Sequence, residues 1–220
     1  MSELTVKPGQ DSIFREGVKS WMECYLENDG DWDWNMWRRV QGEGNVYLLT
    51  SYMSSWAEMD ESDEAGQECT SIVQNIINPS VESGAYNLAR TVPELSAQPM
   101  QPGVVYVNFW KTSHWQNFTN TVRQVSDAVR SQEGEPRGFW YYNIGGGPEA
   151  SDAFVVTPYE NFAAMDESMD SVWELVEREH GERKKNELRN TFAESTDDHW
   201  SYIYRRDSEL SRPDAEEEEE

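Results

Sequence analysis

The amino-acid sequence predicts an α+β chain made of two tandem β-α-β-β-α-β units. An internal repeat and two successive sets of strand and helix periodicities carry this prediction. A chain of 220 residues suits one or two domains. Its 10 Trp, 10 Tyr and 7 Phe residues supply large apolar side chains for a core, which argues against disorder.

The internal repeat is clearest between residues 51–62 and residues 157–168. The tetrapeptide Met-Asp-Glu-Ser begins at Met59 and recurs, unchanged, at Met165. Four matching segments follow one another in the same order, which indicates a duplication. The other matches are Trp56 with Phe162, Trp34 with Trp140, residues 14–25 with residues 118–129, and Glu-Leu-Ser at 94–96 with Glu-Leu-Ser at 209–211.

The first copy reads as four strands and two helices. Phe14, Val18 and Tyr25 lie on one face of an amphipathic helix. Glycines at 42 and 44 indicate a turn between two strands. The second helix is expected to stop before Pro79. The predicted strands are residues 4–7, 32–40, 45–52 and 86–90, and the second helix carries Ile72, Val73, Ile76 and Ile77.

The second copy repeats this order, with a longer second helix that starts near Met165. The alternating residues Trp200, Tyr202 and Tyr204 predict its last strand. The other predicted strands are residues 104–111, 138–144 and 153–157. The predicted organisation is therefore a first repeat at 1–98, a linker at 99–102, a second repeat at 103–211 and a disordered acidic tail at 212–220.

The strand at residues 104–111 carries large apolar side chains on both faces. Val105, Val107 and Phe109 are purely apolar and are expected to face the helices, while Asn108 and its same-face neighbours point the other way. Helices in this topology cover one sheet face only. We therefore expect the sheet of the other copy to cover the second face.

This order of elements, with the stretches 51–62 and 157–168, resembles the dimeric α/β-barrel superfamily of ferredoxin-like units. Its members include antibiotic-biosynthesis monooxygenase-like and stress-responsive barrel proteins. The resemblance implies two ferredoxin-like units packed sheet to sheet as a pseudo-dimeric α/β barrel. It also implies a cavity for small molecules, either between helices and sheet or between the two sheets.

The side chains predicted to leave the non-helical sheet faces are the candidate ligand-binding residues. An aromatic pocket with Asn108 and Arg38 as orienting groups is the functional interpretation. The alternative is ordinary packing of aromatic side chains in a core. The candidates are Trp34, Arg38, Tyr106, Asn108, Trp110, Trp140 and Tyr142.

Two histidines have a functional interpretation beside a structural one. His114 follows a strand and precedes a helix, so it is a candidate general base, or else an exposed residue of a helix start. Asn108 is the other candidate catalytic residue, in a polar role. His180 invites comparison with chlorite-dismutase-like proteins, which bind haem through a helical histidine. Its neighbours are charged, however, and a haem ligand needs an apolar pocket. The sequence predicts no cofactor and no metal site.

Three functions remain open on the sequence alone. The chain is a small-molecule-binding barrel protein, a cofactor-independent monooxygenase-like or isomerase-like enzyme, or a structural protein that forms a homodimer through its sheet edges. The net charge of −24 repels nucleic acid and anionic membranes. The four basic residues between 183 and 189 are interpreted as a solvated helix face.

The two cysteines and the start of the chain bear on location. Cys24 and Cys69 are expected to be free, buried thiols, or to form one disulfide if the chain is exported. No signal-like segment opens the chain and no apolar run is long enough to span a membrane. We therefore expect a cytoplasmic protein unless a signal peptide has been removed.

Overall fold

A computed structural model describes residues 1–147 and 149–212, which form two compact units. The first unit is Met1–Tyr86 with the chain from Tyr204 onward, and the second is Asn87–Ile203. Both units combine helices with antiparallel strands, which confirms the α+β class. Beyond Arg212, the predicted acidic tail lies outside the described residues. Within them, no helix has the length and apolar character needed to cross a membrane.

The strands of the first unit follow the order β4-β1-β3-β2, which is the order of a split β-α-β fold. Residues 204–206 pair antiparallel with the remaining edge of β2. The elements are β1 (Ser2–Val6), α1 (Asp11–Glu27), β2 (Asn35–Arg39), β3 (Asn45–Thr50), a 3-10 turn (Trp56–Asp60), α2 (Glu64–Glu68), α3 (Thr70–Ile72), a π-helical turn (Val73–Ile77), α4 (Asn78–Ser80), β4 (Val81–Tyr86) and a final 3-10 turn (Ser208–Leu210).

The second unit has the corresponding order β9-β6-β8-β7, followed by β5 on the edge of β7. Its elements are β5 (Ala89–Thr91), a 3-10 turn (Pro93–Leu95), β6 (Val104–Thr112), α5 (Trp115–Glu133), β7 (Phe139–Asn143), β8 (Ala153–Tyr159), a 3-10 turn (Ala163–Asp166), α6 (Val172–His180), α7 (Glu182–Ser195) and β9 (Thr196–Arg206) up to residue 203.

The core of the first unit lies between α1 and the sheet. Phe14 and Val18 of α1 pack with Met36 of β2 and Tyr47 of β3, all buried. Burying each such side chain contributes roughly 1.5–3 kcal/mol, so the predicted helix stripe is the main anchor of α1. Gly17 allows the π-helical turn (Val73–Ile77) to approach α1 closely, because a Cβ there would lie 2.8 Å from Ile76 Cγ2.

Three predicted element boundaries are wrong. Helical structure does not stop before Pro79, because α4 (Asn78–Ser80) carries this proline in its first turn, where proline is tolerated. The last strand of the first copy is Val81–Tyr86, and the predicted strand at 86–90 spans the break before β5. The second helix of the second copy does not start near Met165 but at Val172. A capping box sets this start: the Ser171 hydroxyl accepts a hydrogen bond from the Glu174 amide, and the Glu174 carboxylate accepts one from the Ser171 amide.

The predicted faces of β6 are inverted. Trp110 packs against Phe118 of α5 and Phe192 of α7, with ring centres 5.9 and 6.0 Å away. Phe109 lies on the opposite face, where its ring stacks 5.5 Å from that of Trp200. The alternation correctly groups residues 106, 108 and 110, but the large apolar side chains on both faces do not show which face meets the helices.

The same correction holds for the first unit. Met36 packs with Phe14 beneath α1, and Trp34 packs with Tyr25 of the same helix. Arg38 follows two residues after Met36, so it shares this face. Trp34 and Arg38 therefore point toward the helices, and not toward the open sheet face as predicted.

Cys24 and Cys69 form a disulfide in the structure. Their expected default state, two free thiols, is therefore wrong, and the alternative pairing is present. The bond links α1 to the residue that follows α2, across 45 positions of sequence. Cys69 is fully buried beside Tyr25 and Trp34, so the disulfide closes one end of the first unit's core.

Candidate functional site

Trp110 is the centre of an aromatic cluster on the helix-facing side of the second unit. Its indole stacks on Trp140 of β7, with ring centres 5.3 Å apart and planes inclined by 19°. Phe118 and Phe192 close the cluster from the helices. Only 9% of Trp110 is exposed. The structure thus brings together Trp110 and Trp140, two of the predicted ligand-binding residues, as part of a packed core.

His199 of β9 covers one side of this cluster. Its ring lies 5.4 Å from the centre of the Trp110 ring, inclined by 28°, and its Nε2 lies 3.3 Å from Asn108 Oδ1. His199 is exposed, while Asn108 is partly exposed. A polar pair therefore lies at the rim of an apolar cluster, where both groups remain accessible to solvent.

A second polar pair follows along the same two strands. The Tyr106 hydroxyl donates a hydrogen bond to Ser201 Oγ at 2.9 Å. Tyr106 and Asn108 alternate along β6, as His199 and Ser201 do along β9, so all four side chains share one sheet face. We call the Asn108–His199 and Tyr106–Ser201 pairs the two polar rungs of the second unit.

His199 and Ser201 were not among the predicted site residues, although the sequence contains a signal for them. The alternation of Trp200, Tyr202 and Tyr204 predicts that the odd-numbered residues of the last strand share the opposite face. The split β-α-β order also places that last strand beside the first strand of its unit. What the sequence lacks is the register that sets His199 against Asn108.

Tyr142 lies at the other end of the aromatic cluster. Its ring meets that of Trp115, the first residue of α5, edge to face at 4.7 Å. Burial raises the pKa of the Tyr142 hydroxyl, and the nearby Glu94 carboxylate raises it further. Tyr142 therefore keeps its proton at neutral pH and can act there as a hydrogen-bond donor.

Trp34 and Arg38 have structural partners in the first unit. Trp34 is buried, and its indole nitrogen donates a hydrogen bond to the backbone oxygen of Leu210 at 2.8 Å. Arg38 lies 3.7 Å from the Asp11 carboxylate and places its guanidinium 5.8 Å from the centre of the Tyr47 ring. Their predicted ligand-binding role stays a prediction.

The Asp11 carboxylate is the electrostatic centre of this network. It accepts hydrogen bonds from the Asn45 amide at 2.5 Å and the Tyr47 hydroxyl at 2.8 Å. Burial raises the pKa of the Asp11 carboxyl, but these hydrogen bonds and the Arg38 charge outweigh burial and hold the pKa below its usual value.

The two predicted functional histidines are both exposed. His114 immediately precedes α5, where its backbone carbonyl accepts the amide of Phe118 at 3.0 Å. Among residues 1–147 and 149–212, no hydrogen bond or ring contact links the His114 side chain to the polar rungs. His180 ends α6 in solvent, close to Arg178 and Glu179 in sequence. Its surroundings therefore do not fit a haem ligand, which needs an apolar pocket.

Solved structures share the fold of this chain at low sequence identity. A candidate monooxygenase from Lactobacillus acidophilus NCFM is 10% identical, with a TM-score of 0.53 over 94% of this chain and 92% of that chain. A heme-binding protein from Thermus thermophilus is 9% identical, with a TM-score of 0.51 over 96% of this chain and 91% of that one. No family model and no curated protein matches the sequence. At these identities the likenesses show a shared fold and nothing further.

Proposed function

We propose that this chain is a small-molecule-binding α/β-barrel protein whose ligand lies against the helix-facing side of the second unit's sheet. One observation carries the proposal: His199 pairs with Asn108 at the exposed rim of the apolar cluster around Trp110. Ligand sites combine a mostly aromatic and aliphatic lining with a few placed polar groups. A small apolar or aromatic molecule is the ligand class that suits such a rim.

The difference between the two units supports this location. In the first unit, Arg38 lies opposite Tyr47, a large side chain that is fully buried. In the second unit, Tyr142 lies opposite Ala153 in the corresponding strand pair. The position on the third strand thus carries a large buried tyrosine in the first unit and a small alanine in the second. In the second unit, aromatic residues of β6 and β7 occupy the space beside it.

The experiment is a thermal-shift screen of the purified chain against neutral aromatic compounds. A ligand at 100 times its Kd stabilises the folded state by about 2.7 kcal/mol, which gives a measurable rise in Tm. His199→Ala and Asn108→Ala should reduce the rise for the best compound. His114→Ala is the matched control, because it removes an exposed histidine outside the cluster. A flat response across a broad panel would refute the proposal.

A cofactor-independent enzyme of the monooxygenase or isomerase kind is the second candidate. The favouring observation is again His199, whose imidazole stands beside an amide that can orient it. A bound aromatic molecule could lose a proton to this imidazole. Oxygen uptake or isomer formation with the best compound of the screen would be measured for the wild type, His199→Ala and Asn108→Ala. Equal turnover in all three chains would exclude this role for the pair.

The finer architecture belongs to the same proposal. It comprises two tandem ferredoxin-like repeats, at residues 1–98 and 103–211, packed sheet to sheet as a pseudo-dimeric α/β barrel. A homodimer formed through sheet edges is also proposed, and it is the third functional candidate. Light scattering tests it directly, since a mass near the 25.5 kDa of a single chain would exclude the dimer.

A further inference from the structure

The two polar rungs of the second unit constrain the shape of the ligand. The Asn108–His199 pair and the Tyr106–Ser201 pair occupy successive same-face positions on β6 and β9. Same-face positions along a strand are about 7 Å apart, because each residue advances the chain by about 3.3 Å. The rungs therefore offer two hydrogen-bonding points at that separation, at the edge of an aromatic cluster.

Each rung retains a hydrogen-bond donor after its own internal bond is made. Tyr106 donates to Ser201 Oγ, which leaves the Ser201 hydroxyl hydrogen for another acceptor. Asn108 directs its carbonyl oxygen toward His199 Nε2, which leaves the two hydrogens of its amide nitrogen. Tyr106, Asn108 and Ser201 are all partly exposed, so these donors can be reached.

The surroundings of the rungs favour a flat and uncharged ligand. The His199 ring stacks on that of Trp110 with planes inclined by 28°, so the rim offers flat aromatic side chains against which a flat molecule can pack. The net charge of −24 opposes the approach of an anion, and the remaining N–H and O–H donors of the rungs are unfavourable partners for a cation. An aromatic ring with one acceptor at each end can span the two rungs, whereas substituents on adjacent ring positions are too close together.

We infer that the ligand of the proposed site is a neutral, para-disubstituted aromatic molecule with a hydrogen-bond acceptor at each end. This inference rests on the proposed function, since it assigns a ligand class to the same site. It goes further by assigning each end of the ligand to one rung. One end of the ligand meets Asn108 and the other end meets Ser201.

The test uses a matched set of neutral esters: methyl 4-, 3- and 2-hydroxybenzoate, and methyl benzoate without the hydroxyl. Calorimetric titration of the full chain should show the 4-hydroxy ester binding about three- to tenfold tighter than each of the others, the value of one added hydrogen bond. Ser201→Ala should reduce this preference to about one. Ser113→Ala, which removes an exposed serine between β6 and α5, should leave the preference intact.

The outcomes separate the two levels of the proposal. Equal affinity for all four esters would overturn the ligand class and leave the binding site standing. No binding of any ester would overturn the ligand class, and a flat response in the broader screen would then remove the proposed function as well. If Ser201→Ala does not fold, Ser201→Cys replaces the same hydroxyl by a thiol, which is only a weak hydrogen-bond donor. A preference that survives the loss of the Ser201 hydroxyl would also refute the inference.

Discussion

The hydroxyl of Ser211 accepts a hydrogen bond from the backbone amide of Met36 at 2.9 Å. Ser96 does the same for the amide of Trp140, also at 2.9 Å. Each serine directly follows a leucine in a 3-10 turn, and both leucines are fully buried. The serine of the repeated Glu-Leu-Ser tripeptide thus binds a strand amide in each unit. By this contact Trp140 corresponds to Met36, which lies two residues after Trp34, its partner in the sequence alignment.

The buried leucine of this tripeptide should carry much of its stabilising effect. Leu210 is fully buried against the core formed by Phe14 and Met36. We expect Leu210→Ala to lower the free energy of unfolding by about 2–5 kcal/mol, because it leaves a cavity. Urea denaturation measures the change. Leu26→Ala, at a helix position that is 49% exposed, should change it by less than about 0.5 kcal/mol, and equal effects would contradict the prediction.

Reduction of the disulfide should destabilise the first unit. The Cys24–Cys69 bond closes a loop of 45 residues, and removing such a cross-link restores chain entropy to the unfolded state at a cost of about 2–4 kcal/mol. A reductant should therefore lower the urea midpoint of the wild type. The Cys24→Ser, Cys69→Ser double variant should have the lower urea midpoint already without reductant, and the reductant should not change it. A midpoint that is unchanged by reduction of the wild type would rule out this role.

The Asp11 network should make stability depend on acid. The pKa of Asp11 is below its usual value in the folded chain, so the ionised form contributes stability that is present above about pH 4 and lost as the pH falls through the folded pKa. Asp11→Asn removes this term. The difference in unfolding free energy between wild type and variant should shrink between about pH 6 and about pH 2. A difference that stays constant over this range would show that Asp11 does not contribute.

Ionisation of Tyr142 gives a test of the aromatic cluster in solution. Burial and Glu94 raise the pKa of this hydroxyl, so it should ionise at higher pH than an exposed tyrosine. An ultraviolet titration of the wild type minus that of Tyr142→Phe isolates its signal. Tyr86→Phe is the control, because Tyr86 is 74% exposed. A Tyr142 transition at or below the pH of about 10 expected for free tyrosine would mean that the cluster is open to water.

Much of the fold follows from local pattern. The apolar stripes of α1 and α5 predict both helices, since Phe14 and Phe118 recur at helical spacing with their neighbours and are fully buried. The glycine turns predict the β2–β3 hairpin. The capping box of Ser171 and Glu174 can also be recognised in the sequence. However, Met165 and Met169 continue the helical spacing of apolar residues upstream of it, and this led to a predicted helix start that is too early.

By itself, the sequence determined the order of strands and helices apart from β5, and which side chains of a strand share a face. Those features depend on the periods of the backbone, which hold over a few residues. Only the tertiary structure decided which face meets the helices, that Cys24 bonds to Cys69, and that His199 stands against Asn108. Each of these depends on a register or a contact between segments 45 or 91 residues apart. A shift of one residue there reverses every face while leaving the local pattern unchanged.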